Sequence, residues 1–316
     1  MGSDPGTKRI LVIGAAGLVG VNLLRLSPHY SFVVIPAFHD YVPQGYRATW
    51  LQLDITGPDV NQRLADLCPE CVLNLSCMGV AQAEADPDQA HAVHAAGVRE
   101  LARACRDHGI RLVHLSTDMV YSGRKGAPYT LDDEPDPVSV YGRTKLDGER
   151  AVQDAGCNHV IVRSALVLGR DRFRRRGFLE WMIDKAEKGE TLPLYADQLR
   201  TPMVVDDLVD VIFRLADSSY TGILLAGGDE GCNRVEIGEK LSSAMKLPGR
   251  LIQPILATEQ KSPVPLQRDL RLDNSSLKKI VGGKALMRLD DYFAGLFKPP
   301  HPIPLPQSGE EFFDSF

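Results

Sequence analysis

The sequence predicts an α/β fold: a doubly wound parallel sheet with a smaller C-terminal lobe. Three observations predict it. Short apolar runs alternate with helix-periodic stretches through the first two thirds of the chain. Those runs are continuously apolar rather than alternating, as strands are when both faces of a parallel sheet are covered. A glycine-spaced turn, Gly14, Gly17 and Gly20, sits between the first apolar run and the first helical stretch.

The elements follow in order. "RILVIG" is a strand, "LVGVNLLRL" a helix, and "SFVVIP", "TWLQLDI" and "CVLNLS" are the second, third and fourth strands. "PDQAHAVHAAGVRELARACRDHG" is a long helix stopped by Gly109. "RLVHLST" is the fifth strand, "VSVYGRTKLDGERAVQDAG" a helix ended by Gly156, "HVIVRSALVLG" the sixth strand and "TGILLAGG" the seventh. The texture changes near residue 169, where a basic loop, two amphipathic helices and proline-dotted segments follow. The expected organisation is a dinucleotide-type domain over 8–168 with a further core strand near 221–227, a lobe mainly over 169–300, and an extended or disordered tail over 301–316.

Bulk properties exclude several classes. The chain has 316 residues, 44% hydrophobic and 24% charged, with a net charge of −5 and a pI of about 5.9. Such a balance argues against a dedicated nucleic-acid or anionic-membrane binder. No apolar run approaches the roughly 20 residues that span a bilayer, and "MGSDPGTKR" lacks the apolar stretch of a secretory signal. The expected location is cytoplasmic, with reduced cysteines. "CPEC" (Cys68 to Cys71) has metal-like spacing, but no second pair or His cluster accompanies it, so no metal is expected.

The glycines define a nucleotide site. Gly14, Gly17 and Gly20 allow a tight turn and close backbone approach to a pyrophosphate, and the following helix offers free N–H groups to it. Leu18 and Val19 occupy that first turn. An acid about 20 residues later usually accepts from the ribose 2′-OH of NAD. Here the second strand ends "VVIPAFHD": Pro36 and Ala37 stand where the acid is expected, and Asp40 comes a few residues late. The missing carboxylate favours NADP, with NAD as the other coenzyme; Arg47 is the nearest following arginine. Asp54 and Ile55 end the third strand, where a carboxylate can accept from the adenine amino group or serve as a turn cap.

A proton-transfer unit follows. Thr117 ends the fifth strand, and "YGRTK" places Tyr141 and Lys145 on one helix face, four residues apart. A carbonyl that receives a hydride needs a proton at its oxygen. Tyr141 donates it, Lys145 lowers the phenol pKa, and Thr117 positions the carbonyl.

These segments resemble the extended short-chain dehydrogenase/reductase superfamily, and within it the dTDP-4-dehydrorhamnose reductase group. "GAAGLVG", "LDIT", "STDMVYSG" and "YGRTKLDGE" carry the superfamily likeness; "DQLRTPMVVDDLVD" and "LRLDNSSLKKI" point to the branch. The resemblance implies a catalytic Thr117, Tyr141 and Lys145, with Asp118 beside the substrate. It implies that Gly17, Leu18, Val19, Asp54, Ile55, Ser76 and Cys77 line the cofactor, and that Gln198, Arg200 and Thr201 face a nucleotide sugar. A homodimer is the default assembly.

Three positions depart from the family pattern. His94 stands where the family usually has an Asn that supports the lysine through a water; a neutral imidazole is expected to bridge the same network. Leu166 replaces a Trp, and "CMGVAQAEADP" lacks a Thr-x-Val-Asp pattern. The basic loop "RDRFRRRG" (Arg170, Arg172, Arg174, Arg175, Arg176) lies near the predicted cleft, either as a diphosphate site or as a solvated loop. The expected function is reduction of a 4-keto sugar nucleotide. The alternatives are a sugar-nucleotide epimerase or dehydratase, and a non-catalytic NADP-binding regulator such as the β subunit of methionine adenosyltransferase.

Overall fold

The structure, a computed structural model, describes residues 7–43, 48–171, 173–262 and 264–297. Arg47, Arg172 and the tail over 301–316 lie outside the described residues.

The chain enters through β1 (Lys8–Ile13), turns at Gly14 into α1 (Leu18–Leu26), and continues through β2 (Phe32–Phe38) and β3 (Leu51–Gln52). Next come α2 (Val60–Leu67), β4 (Cys71–Asn74), α3 (Val80–Ala85) and α4 (Pro87–His91). A π-helical turn, Ala92–Ala96, joins α4 to α5 (Gly97–Asp107). Then follow β5 (Arg111–Thr117), α6 (Val140–Ala155), β6 (His159–Ser164), β7 (Val167–Leu168) and α7 (Phe178–Glu187). The remainder is β8 (Leu192–Tyr195), β9 (Leu199–Arg200), β10 (Met203–Val204), α8 (Val205–Ala216), β11 (Gly222–Ala226), β12 (Cys232–Asn233), α9 (Arg234–Met245), β13 (Ile252–Ile255), α10 (Ser275–Ile280) and α11 (Leu289–Leu296).

Seven strands form one parallel sheet in the order β11-β6-β5-β4-β1-β2-β3. Strand order reverses between β1 and β4, so their carboxyl ends diverge and open a crevice there. Both faces are covered, and successive residues of one strand serve opposite cores. Ile10 and Val12 pack with Leu208, Ile212 and Phe213 of α8. Leu11 and Ile13 pack on the other face with Leu101, Ala102 and Cys105 of α5. Each such side chain contributes about 1.5–3 kcal/mol by leaving water, and this two-sided burial is why the strands read as unbroken apolar runs.

Later segments divide between two cores. Helices α8 and α10 return to the main sheet, with Leu277 and Val281 joining the first core. Leu179, Met182 and Ile183 of α7 gather instead with Leu192, Leu194, Ile237, Leu241 and Phe293.

Three sequence expectations need adjustment. "HVIVRSALVLG" breaks in two, because the Ala165 and Leu166 backbones turn to Ala226 and Met203; β7 then pairs with β10 outside the main sheet. The long helix of residues 87–107 is interrupted by the π turn, where α6 packs so closely that a Cβ on Gly148 would lie 2.0 Å from His94 O. The helix carrying "YGRTK" stops at Gly156 as expected but starts at Val140, two residues into the expected stretch. Ser139 accepts from Gly142 N at 3.0 Å, and Gly156 closes the helix with φ of 70°.

Candidate active site

The first half of the site is made of backbone. Gly14 holds φ of 78°, and a Cβ there would meet the Leu75 carbonyl at 2.8 Å. A Cβ on Gly20 would meet the Ala15 backbone at 2.5 Å, so this glycine lets α1 pack on the turn. The turn is fixed to the neighbouring strand by Ala15 N donating to Ala37 O at 3.1 Å. No side chain caps α1, so the first-turn amides, Leu18 and Val19 among them, point into the crevice without intrahelical partners. A helix terminus without a side-chain cap, behind a turn where Gly14 and Gly20 leave no room for a Cβ, fits a dinucleotide pyrophosphate.

The flanking positions behave differently from one another. Asp54 accepts from Thr56 N and Oγ1, both at 2.8 Å, and its other oxygen lies 3.6 Å from His39 Nε2. Burial pushes its pKa up, but these contacts outweigh that and leave it below the usual carboxylate value. The acid is thus a turn cap that is still half exposed. Ile55 is buried behind it. Ser76 N and Oγ both donate to Asn74 Oδ1, and Asn74 Nδ2 donates to His114 Nδ1 at 3.0 Å. This chain moors the loop carrying Cys77 to the middle of the sheet.

Thr117, Tyr141 and Lys145 converge at the ends of β5 and α6. Thr117 Oγ1 accepts from Met119 N and donates to Asp118 Oδ1, both at 3.2 Å. The Tyr141 hydroxyl lies 3.5 Å from Cys77 Sγ. Lys145 is 2% exposed and donates to Leu115 O at 2.7 Å. The expected lowering of the phenol pKa is absent. Burial, then Cys77 and Asp118, push the phenol well above its ordinary value, and only Thr117 opposes them. The Lys145 ammonium, itself lowered by burial, is bound to the strand carbonyl instead. Tyr141 is therefore a firmly protonated phenol.

His94 does not bridge to Lys145. Its Nε2 accepts from Met78 N at 2.9 Å, which leaves the proton on Nδ1, 2.9 Å from Thr144 Oγ1. Burial and the Lys145 charge push its pKa down to about 3. The neutral ring ties the Cys77–Met78 loop to α6 and stands edge-on to Tyr141 with centroids 5.5 Å apart.

The second half of the site is made of side chains. A cavity of about 520 Å³ is lined by Thr117, Asp118 and Tyr141 on one side and by Tyr195, Gln198, Arg200 and Arg234 on the other. Asp118 is buried, with Oδ2 3.9 Å from Arg200 Nε, and burial raises its pKa to about 6 against the pull of Arg200. Arg200 donates to Leu199 O and Gln267 O; Gln198 Oε1 accepts from Arg234 Nε at 2.8 Å. Thr201 is not brought into this cavity. Its hydroxyl accepts from Leu272 N at 3.2 Å, and a Cβ on Gly227 would lie 2.4 Å from it.

Sequence reading missed Tyr195, Arg234 and the segment over 264–267. Gln267 Nε2 donates to Met119 O and Tyr121 O at 3.1 and 2.8 Å, binding that segment over the end of β5. Only its place three residues before "LRLDNSSLKKI" hinted at this. Beneath the site, Arg163 holds Glu149 at 2.7 Å and Tyr121 at 2.8 Å, while Ser116 donates to Glu149. This buried network locks α6 to β5 and β6, and so fixes Tyr141 relative to Thr117.

The basic loop lies away from the cavity. Arg170 donates to Glu180 at 2.7 Å, and Arg175 pairs with Asp184 and Glu187 at 2.8 and 3.1 Å. The loop passes over α1, where Asn22 Nδ2 donates to Arg170 O at 2.9 Å.

Comparison with known proteins gives the family and the fold. The Sinorhizobium fredii dTDP-4-dehydrorhamnose reductase is 32% identical over 234 residues, covering 71% of this chain and 78% of that one. The Mycolicibacterium smegmatis dTDP-4-dehydrorhamnose reductase is 31% identical over 268 residues, covering 83% and 77%. The Bacillus anthracis dTDP-4-dehydrorhamnose reductase, solved in complex with NADP, superposes with a TM-score of 0.79 at 24% identity, covering 92% of this chain and 99% of that one. Residues 8–287, from the glycine turn through the segment that closes over the cavity, match the family described as RmlD substrate binding domain. The chain belongs to that family.

Proposed function

We propose that this chain is an NAD(P)H-dependent reductase of a 4-keto sugar nucleotide, of the dTDP-4-dehydrorhamnose reductase type. The observation that carries the reading is that Thr117 and Tyr141 line one cavity while Lys145, a turn along the same helix, is buried behind them on Leu115 O. The nicotinamide coenzyme supplies the hydride. The chain's own residues supply the rest. Gly14, Gly17 and Gly20 admit the pyrophosphate, and Leu18 and Val19 give it amide protons. Asp54, Ile55, Ser76 and Cys77 border the coenzyme. Thr117 holds the substrate carbonyl, and Tyr141 gives a proton to its oxygen. A raised pKa keeps that proton in place until the carbonyl develops negative charge. Lys145 then stabilises the phenolate, because the ammonium has two further protons beyond the one given to Leu115 O.

Asp118, Gln198 and Arg200 face the sugar. A second cavity of about 560 Å³ adjoins across Pro265 and Leu266 and carries Arg124 and Arg268, room and charge for the nucleoside diphosphate end. Residues 8–168 and the strand near 221–227 act as the coenzyme domain, and 169–300 mainly as the substrate lobe. Six unpaired cysteines accord with a cytoplasmic enzyme, and a homodimer is its default assembly. The test is NADPH oxidation against a panel of 4-keto sugar nucleotides. Tyr141→Phe lowers turnover roughly 10²- to 10⁴-fold while NADPH still binds. Full turnover in that variant rules the mechanism out.

A further inference from the structure

Among the described arginines of the basic loop, Arg174 reaches furthest from the loop's own neighbourhood. Arg170 and Arg175 are paired with acids of α7. Arg174 points the other way, toward the segment that follows β2. Its guanidinium lies over the Tyr41 ring at 4.3 Å from the centroid, and its terminal nitrogen is 3.8 Å from Asp40 Oδ2. The ion pair is long, and the Asp40 side chain remains 68% exposed.

The loop is held in this position from both ends. Asp171 Oδ1 accepts from Phe173 N and Arg174 N, and Asp171 N donates to the buried Glu180. Asn22 of α1 donates to Arg170 O, and Gly177 lies against Leu18. The loop thus arches over the first turn of α1 and ends at the tip of β2. In a doubly wound fold the adenosine ribose lies at that tip, beside the glycine turn. Strand β2 ends in Pro36, Ala37 and Phe38, with no acid within the strand to take the ribose hydroxyl.

We propose that Arg174 reads the 2′ position of the adenosine ribose, with Tyr41 as the platform that orients it and Asp40 as its resting partner. A 2′-phosphate offers the guanidinium a bidentate, doubly charged acceptor in place of one distant carboxylate. A coenzyme with a free 2′-hydroxyl leaves Arg174 on Asp40 and gains only the carboxylate as acceptor. The inference rests on the dinucleotide reading above and adds to it a residue, from the loop after β7, that sets coenzyme preference.

The test is calorimetric binding of NADPH, NADH, 2′,5′-ADP and 5′-ADP to the full chain. Wild-type protein binds 2′,5′-ADP more tightly than 5′-ADP. Arg174→Ala removes that advantage, weakening NADPH and 2′,5′-ADP roughly 10- to 100-fold and NADH by less than about threefold. Arg174→Lys, which keeps the charge and loses the fork and the stacking, falls between them. Asp40→Asn tightens NADPH by removing a competing negative charge. Equal loss of NADPH and NADH in Arg174→Ala, or no loss of either, overturns the inference while leaving the dinucleotide reading intact. Failure of the wild-type protein to bind either dinucleotide overturns both.

Discussion

The two sides of the cleft are built from different materials. The coenzyme side is backbone: a left-handed Gly14, a closely packed Gly20 and bare amides at the start of α1. The substrate side is side chains drawn from distant segments, with Asp118, Gln198, Arg200, Arg234 and Gln267 meeting around one cavity. A backbone site needs particular spaces, and only glycine leaves them, so its residues are written in one short stretch. A side-chain site needs charges to be balanced in three dimensions, and its members need share no spacing. The first should fail by steric strain, the second by loss of charge balance.

The largest effect expected is at the turn. Gly14→Ala puts a Cβ 2.8 Å from the Leu75 carbonyl in a left-handed conformation. We expect a loss of about 2–3 kcal/mol in stability and at least a tenfold loss in dinucleotide affinity, read by denaturant titration and calorimetry. Unchanged stability and binding would erase the distinction drawn between the two sides.

Acid stability probes the seam between them. His94 stays neutral in the fold down to a pKa of about 3, against an ordinary histidine value of 6.5. The unfolded chain therefore takes up a proton that the folded chain refuses. Stability is complete above pH 6.5 and is lost as pH falls toward 3, by about 2 kcal/mol at pH 5 from this ring alone. His114, also held neutral by burial, adds to the loss. Asp118 opposes it, because a carboxyl raised to about 6 binds its proton more readily in the fold. Denaturant melts at pH 7 and pH 5 should show the net fall, and His94→Asn should flatten it.

Asp118→Asn is the mildest of these changes and the most specific to the substrate side. If Asp118 accepts from a sugar hydroxyl as proposed, kcat/KM of the wild-type enzyme should rise several-fold as pH passes through about 6. The asparagine variant should show a flat profile there and unchanged NADPH affinity. A persistent inflection would assign it to another group.

These contrasts also explain what could be read from the chain beforehand. All seven strands of the sheet were visible, because two-sided burial leaves continuous apolar runs. The Tyr141 helix was visible over residues 138–156, because the Gly156 that ends it is local. The glycine turn was legible for the same reason: the residues it needs stand close to one another in the chain. Arg234 and Gln267 were not, since what places them is packing of segments far apart in sequence. The partners of Lys145 and His94 were misjudged because residue type does not say which of several nearby acceptors a buried donor will reach. The fate of "RDRFRRRG" was hidden likewise: the acids that absorb Arg170 and Arg175 stand one to three helical turns further on, but the target of Arg174 lies more than 130 residues upstream at Tyr41.

The π turn at Ala92–Ala96 has a consequence for how His94 can be compared with its counterparts. A π turn holds one residue more than the α-helical turn it replaces. Removing that residue would rotate one flank of the helix by about 100° against the other. The imidazole and its contacts to Met78 and Thr144 would then leave the face of α6. The placement of the residue at this position and the length of the helix that presents it are thus a single structural unit. A histidine-for-asparagine exchange is interpretable only between chains that keep the same extra residue.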